Sequence, residues 1–154
     1  KVGDFEQFLR GAGIDCTLTV YEKDGEQHLG QRFENAVVDF FALASRGTCT
    51  VSLFYYWFIK MEKASLVFID EFDAFYHSSL SRLIVEELKR LPNTQTILTT
   101  HNTDIMTNEL LRPDCYFQIE NNRIAAFDQL TEKDLREEHN LQRMYNAGAF
   151  YDRK

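Results

Sequence analysis

The stretch Ala64-Ser65-Leu66-Val67-Phe68-Ile69, closed by Asp70-Glu71, limits what this chain can fold into more than any other feature. A near-continuous apolar run without polar alternation reads as a strand covered on both faces, the pattern of a central strand in a parallel sheet. A second such run, Gln95-Thr96-Ile97-Leu98-Thr99-Thr100, also stops in polar residues, His101-Asn102-Thr103-Asp104. Between the two lies a helical pattern with Leu80, Leu83, Ile84, Leu88 and Leu91 on one face and Glu86, Glu87, Lys89 and Arg90 on the other. Ser78 or Ser79 is expected to cap that helix, and Pro92-Asn93 ends it. Strand, helix, strand with polar residues gathered at the carboxyl ends is an α/β arrangement built on a parallel sheet. Ligands of such sheets bind at those carboxyl ends, so Asp70-Glu71 and Thr100-His101 are expected to meet there.

The remaining segments read as smaller elements. Asp4 to Arg10 forms a short amphipathic helix stopped by Gly11 and Gly13. Cys16 to Tyr21, Gln27 to Phe33 and Val37 to Leu43 read as a hairpin or meander, turning first at Lys23-Asp24-Gly25. A helix from the Ser45-Arg46-Gly47-Thr48 turn to about Lys63 has apolar residues nearly all round and is expected to be largely buried. For its aromatic run, Phe54 to Phe58, core packing outweighs a base-stacking surface, which would also need interleaved basic residues. Past His101, a short helix is expected over Ile105 to Leu111 and a hairpin pairs Cys115–Ile119 with Arg123–Phe127 across Asn121-Asn122. A charged helix then runs from Thr131 to Met144, with Leu135, Leu141 and Met144 as its apolar contacts. The whole is expected to be one domain: a β-rich lead-in over 1–43, a core over 44–112, and a hairpin with a C-terminal helix over 113–154.

Charge and cysteine usage narrow the function. A net charge of −7 over 154 residues argues against nucleic-acid binding through a broad basic face of this chain. Three cysteines without CxxC spacing indicate a reduced, cytoplasmic protein with no disulfide framework. The longest apolar run, Val51 to Ile59, is far short of the roughly 20 residues that span a bilayer, so no membrane partner is expected.

Three polar clusters can carry chemistry. Asp70 can hold a hydrated magnesium ion, which prefers carboxylates, phosphate oxygens and water. Glu71, one residue on, can orient or deprotonate a water attacking a γ-phosphate. Solvated acids at the end of a core strand would look the same. Ser45-Arg46-Gly47-Thr48 before a helix lets backbone amides approach a phosphate, although a plain Ser/Thr cap has the same residues. His101, just past a buried strand, can reach a γ-phosphate or the attacking water, and an ordinary edge histidine can sit there too.

In this order and spacing, the clusters resemble the C-terminal half of an ABC-type ATPase, in the SMC/RecF-like branch and most like bacterial ATPases of the abortive-infection and OLD-like type. The Walker B segment of those relatives resembles Asp-Glu-x-Glu-x-x-x-His-Pro, and here it is Asp70-Glu71-Phe72-Asp73-Ala74-Phe75-Tyr76-His77-Ser78. The tail, Leu135-Arg136 and Asn140 to Gly148, resembles their closing segment. The resemblance implies the C-terminal half of a P-loop NTPase fold, with a parallel sheet core flanked by helices and a small antiparallel portion. It implies magnesium at Asp70, a catalytic base at Glu71 and a γ-phosphate-sensing switch at His101. Ser45, Gly47 and Thr48 would form the signature reaching a partner's ATP, and His77 to Leu80, with Ser79, the D-loop along a dimer interface. Arg46 and Ser78 depart from the small residue and the proline usual at those places.

No GxxxxGK[ST] occurs in the sequence, so nothing here cradles the β- and γ-phosphates. The chain starts without methionine and is expected to be part of a longer protein whose N-terminal half carries the phosphate loop. ATP and Mg2+ are the implied cofactors, both needing that half. The implied partners are that P-loop half, a second copy across the ATP site, a nuclease effector, and nucleic acid through the parent protein, in phage defence or DNA repair. A non-catalytic module that pairs with a P-loop-bearing partner is the alternative. A third reading takes Asp70, Glu71 and Asp73 as a nuclease metal cluster, but no lysine or further acid completes it.

Overall fold

The computed structural model describes residues 2–131, 135 and 140–150. The chain divides into two compact units, one ending at Thr99 and the other beginning at Thr100.

The first unit opens with helix α1 (Val2–Gly11), which buries Phe5, Phe8 and Leu9. Strands β1 (Leu18–Lys23) and β2 (Glu26–Arg32) follow as an antiparallel hairpin, and β3 (Val37–Asp39) pairs with β2. The hairpin closes through Asp24 and Gly25, whose φ angles are 53° and 80°. Two successive left-handed residues make the turn that matches strand twist, which is why Asp-Gly stands there. A methyl group on Gly30 would sit 2.5 Å from Val37 and 2.9 Å from Tyr21, so β2 and β3 close around a glycine.

The run expected as a third strand to Leu43 stays extended only to Asp39. Asp39 then accepts a hydrogen bond from the Ala42 amide and caps a four-residue helix, α2 (Phe40–Leu43). Helix α3 (Arg46–Met61) follows. It packs on α1 through Phe8 against Phe54 and Phe5 against Tyr55. It is not largely buried: Val51, Ser52 and Phe54 are inside, whereas Leu53, Tyr56, Trp57 and Ile59 are exposed. The aromatic run therefore divides, one face in the core and one carrying Lys60 over the Tyr56 ring.

Strand β4 (Leu66–Ile69) pairs in parallel with β5 (Gln95–Leu98), Phe68 opposite Ile97. Among the described residues the sheet has these two strands alone. Val67 is buried, but Leu66, Phe68 and Ile97 are 55%, 61% and 42% exposed. The strand expected to be covered on both faces is covered on one. Helix α4 (Ser78–Lys89) joins the pair and buries Ser81, Ile84, Val85 and Leu88. Its cap is His77, which makes no side-chain cap bond, rather than Ser78 or Ser79.

In the second unit, β6 (Phe117–Glu120) and β7 (Arg123–Ala126) form the expected hairpin, turning at Asn121 and Asn122 with φ of 49° and 59°. The helix expected over Ile105 to Leu111 is absent. One 3-10 turn, Thr103–Ile105, stands at its start, opened by the Asn102 side chain accepting from the Asp104 amide. Beyond it the Tyr116 hydroxyl accepts from the Thr107 amide and lies 2.9 Å from the carbonyls of Ile105 and Thr107. The Ile105 carbonyl, which would open a helix here, is thereby engaged elsewhere, and only a single turn closes, from the Leu110 and Leu111 amides to the Thr107 carbonyl. Met106, Tyr116, Phe127, Leu141 and Phe150 form the core of this unit, with Leu135 and Met144 against it. Half of the helix expected over 131–144 lies outside the described residues. Of the rest, Thr131, Leu135 and Asn140 are not helical, and helix α5 (Leu141–Asn146) starts afresh behind the extended cap residue Asn140.

Candidate functional site

Strand β4 carries its two acids just beyond its last paired residue. Asp70 and Glu71 are both exposed, while Phe72 and Asp73 turn inward and are buried. The reversal is sharp, because Glu71 has φ of 44°, a left-handed backbone that few residues other than glycine, asparagine and aspartate adopt.

The neighbouring strand holds this turn through one residue. The Thr99 amide donates to the Ile69 carbonyl at 3.1 Å, continuing the ladder one step past β5. The Thr99 hydroxyl donates to Asp70 Oδ1 and accepts from the Glu71 amide at 2.8 Å. Its carbonyl accepts from the Phe72 amide at 3.1 Å. Thr99 thus bonds to four consecutive residues, 69 to 72. The sequence pattern placed Thr99 near the end of the second apolar run but gave it no task. The signal was a hydroxyl residue at the end of a strand predicted to lie beside the acidic one.

Asp73, below the acids, is buried and takes part in the inner side of the loop, so Asp70, Glu71 and Asp73 do not present one exposed cluster. Among the described residues no group of three or more histidine, cysteine or acidic side chains could hold a metal ion. The exposed carboxylate of Asp70 does fit magnesium, which takes one or two carboxylates and fills its other positions with water and phosphate oxygens. Tyr76, in the turn that leads to α4, is half-buried, and burial pushes its phenol above the ordinary value.

A second hydrogen-bonded group stands at the start of α3. Ser45 Oγ accepts from the Thr48 amide at 3.1 Å and lies 2.9 Å from Thr48 Oγ1. This is a Ser cap, as the plainer reading of the turn has it. Gly47 has a negative φ, and a methyl group there would meet nothing nearer than Ser45 Oγ at 3.7 Å. The packing of the described residues gives no reason for glycine at this position.

Ser79 is exposed in the first turn of α4. His101 belongs to the second unit, exposed in the bend before the 3-10 turn, with the Asn102 amide donating to Thr100 Oγ1 at 2.9 Å.

Residues 25–107, more than half of the chain and running from β2 past the 3-10 turn, match the family described as "AAA domain, putative AbiEii toxin, Type IV TA system". The chain belongs to this family of P-loop, ATP-binding AAA/ABC-like ATPases, and its mixed α/β structure with a parallel pair agrees with that assignment. No curated protein matches the chain. No helix among the described residues is long and apolar enough to cross a membrane.

Proposed function

We propose that this chain supplies the Walker B, signature and switch elements of an ABC-type ATP site, and that a phosphate loop from another segment completes it. The observation that carries the reading is the parallel pair β4–β5, which delivers Asp70 and Glu71 exposed and hydrogen-bonded in place at its carboxyl end. Asp70 would hold magnesium, with Oδ1 engaged by Thr99 and Oδ2 left for a water of the ion's shell. The ion neutralises charge on the phosphates. Glu71 would take the proton of the attacking water, and His101 would sense the γ-phosphate. Ser45, Gly47 and Thr48 would meet the nucleotide of a second copy, with Ser79 along the same dimer interface. The unexplained glycine at 47 supports an approach from outside the chain. ATP-driven dimerisation would then control an effector such as a nuclease, in phage defence or DNA maintenance in the cytoplasm.

Two measurements test this. Calorimetric titration of the isolated chain with ATP and magnesium is expected to show no micromolar binding, because no phosphate loop is present in it. In the full-length protein, Glu71→Gln is expected to abolish steady-state hydrolysis while ATP still drives dimerisation. Unchanged turnover in that variant would overturn Glu71 as the base. Absence of turnover in the unaltered protein would favour a non-catalytic assembly module.

A further inference from the structure

We propose that Thr99 is the positioning residue of the hydrolytic pair, a clamp whose hydroxyl sets Asp70 and Glu71 at once; this rests on the ATPase reading of those two acids. The basis is the four-point contact with residues 69 to 72. The backbone half of it, Ile69 and Phe72, any residue at position 99 could make. The side-chain half needs a hydroxyl, because one group must donate to the Asp70 carboxylate and accept from the Glu71 amide. Only an O–H group on a short stem does both. Without these bonds the left-handed backbone at Glu71, which is sparsely populated for such a residue, loses the hold on its amide, and its carboxylate would shift with the chain. Asp70 would gain rotamer freedom at the same moment. The bonds the hydroxyl makes go to Asp70 and Glu71, so its effect passes through the two acids.

The test uses the full-length protein with Thr99→Val, which keeps the β-branched shape without the hydroxyl, and Thr99→Ser, which keeps the hydroxyl. Thr99→Val is expected to lower kcat about 10- to 100-fold, the scale of a misplaced catalytic group, with KM for ATP nearly unchanged. Thr99→Ser is expected to recover most of the loss. Amide hydrogen exchange of the same proteins without nucleotide provides the second readout. Protection of the Glu71 amide should fall about tenfold in Thr99→Val, the scale of one lost hydrogen bond, while Val67 and Phe68 in β4 keep theirs and Thr99→Ser behaves as the unaltered protein. An unaltered Glu71 exchange rate in Thr99→Val would overturn the clamp, whatever the turnover. Faster exchange with normal kcat, in an enzyme that Glu71→Gln silences, would overturn its catalytic purpose. Wild-type turnover in Glu71→Gln would instead overturn Glu71 as the base, and absence of turnover in the unaltered protein would sink the ATPase reading itself. In either case the exchange data would still decide whether the clamp exists.

Discussion

Gly47 and Ser45 sit two residues apart at the start of α3 and are held there for different reasons. Ser45 serves the helix: its oxygen satisfies the Thr48 amide, and Ser45→Ala is expected to cost about 1 kcal/mol in urea denaturation. Gly47 serves nothing visible in the described residues, and alanine in a first helical turn is favoured over glycine by about 0.5–1 kcal/mol. Gly47→Ala should therefore raise the denaturation midpoint. If Gly47 belongs to the signature, the same variant should lose ATP-driven dimerisation in the full-length protein. A gain in stability with dimerisation intact would leave the glycine without that role. Asp39 gives a pH-dependent case. The Ala42 amide donating to its carboxylate, ahead of the Tyr21 hydroxyl, holds its pKa below the usual value. A carboxyl lowered by folding stabilises at pH values above its unfolded pKa, and that contribution is lost as pH falls through the folded one. Unfolding midpoints of the unaltered chain and Asp39→Asn should accordingly differ near neutrality and converge under acid, below about pH 4.

At the level of elements, local chemistry was legible wherever it demanded an unusual backbone. Asp24-Gly25 and Asn121-Asn122 both turn with positive φ, and few other pairs accept that, so both hairpins could be read from sequence. Helix α4 was legible from its period, and the expected core residue Ile84 is only 1% exposed. Ile84→Ala is expected to cost about 2–5 kcal/mol, measured by the same denaturation. What failed was whatever long-range contacts decided. The pattern from Ile105 to Leu111 is helical by itself, but Tyr116, nine residues past Thr107, engages that backbone. The four bonds of Thr99 cross 27 to 30 positions of sequence, and no local pattern carries them. Helix α3 and strand β4 were read as buried because their composition is apolar all round, and composition does not say what covers a face.

On the scale of the molecule, the first unit carries more apolar surface than it covers. Leu66, Phe68 and Ile97 share the open face of the parallel pair, and contiguous exposed apolar patches mark interaction surfaces or drive aggregation. Phe68→Thr puts a β-branched residue of good strand propensity in place of the ring, and is expected to change stability by less than about 0.5–1 kcal/mol while reducing dye binding and light scattering by the isolated chain. A large loss of stability would instead mean that the phenyl ring is packed. The left-handed backbone at Glu71 has a consequence for inheritance. Positions 71 and 99 are bound by one hydroxyl, so neither can drift alone: a lineage that loses the hydroxyl gains by placing glycine or asparagine at 71, and in doing so gives up the carboxylate. Among descendants of this sequence the two positions should change as a pair, and a hydroxyl retained at 99 should accompany every chain that keeps its acid at 71.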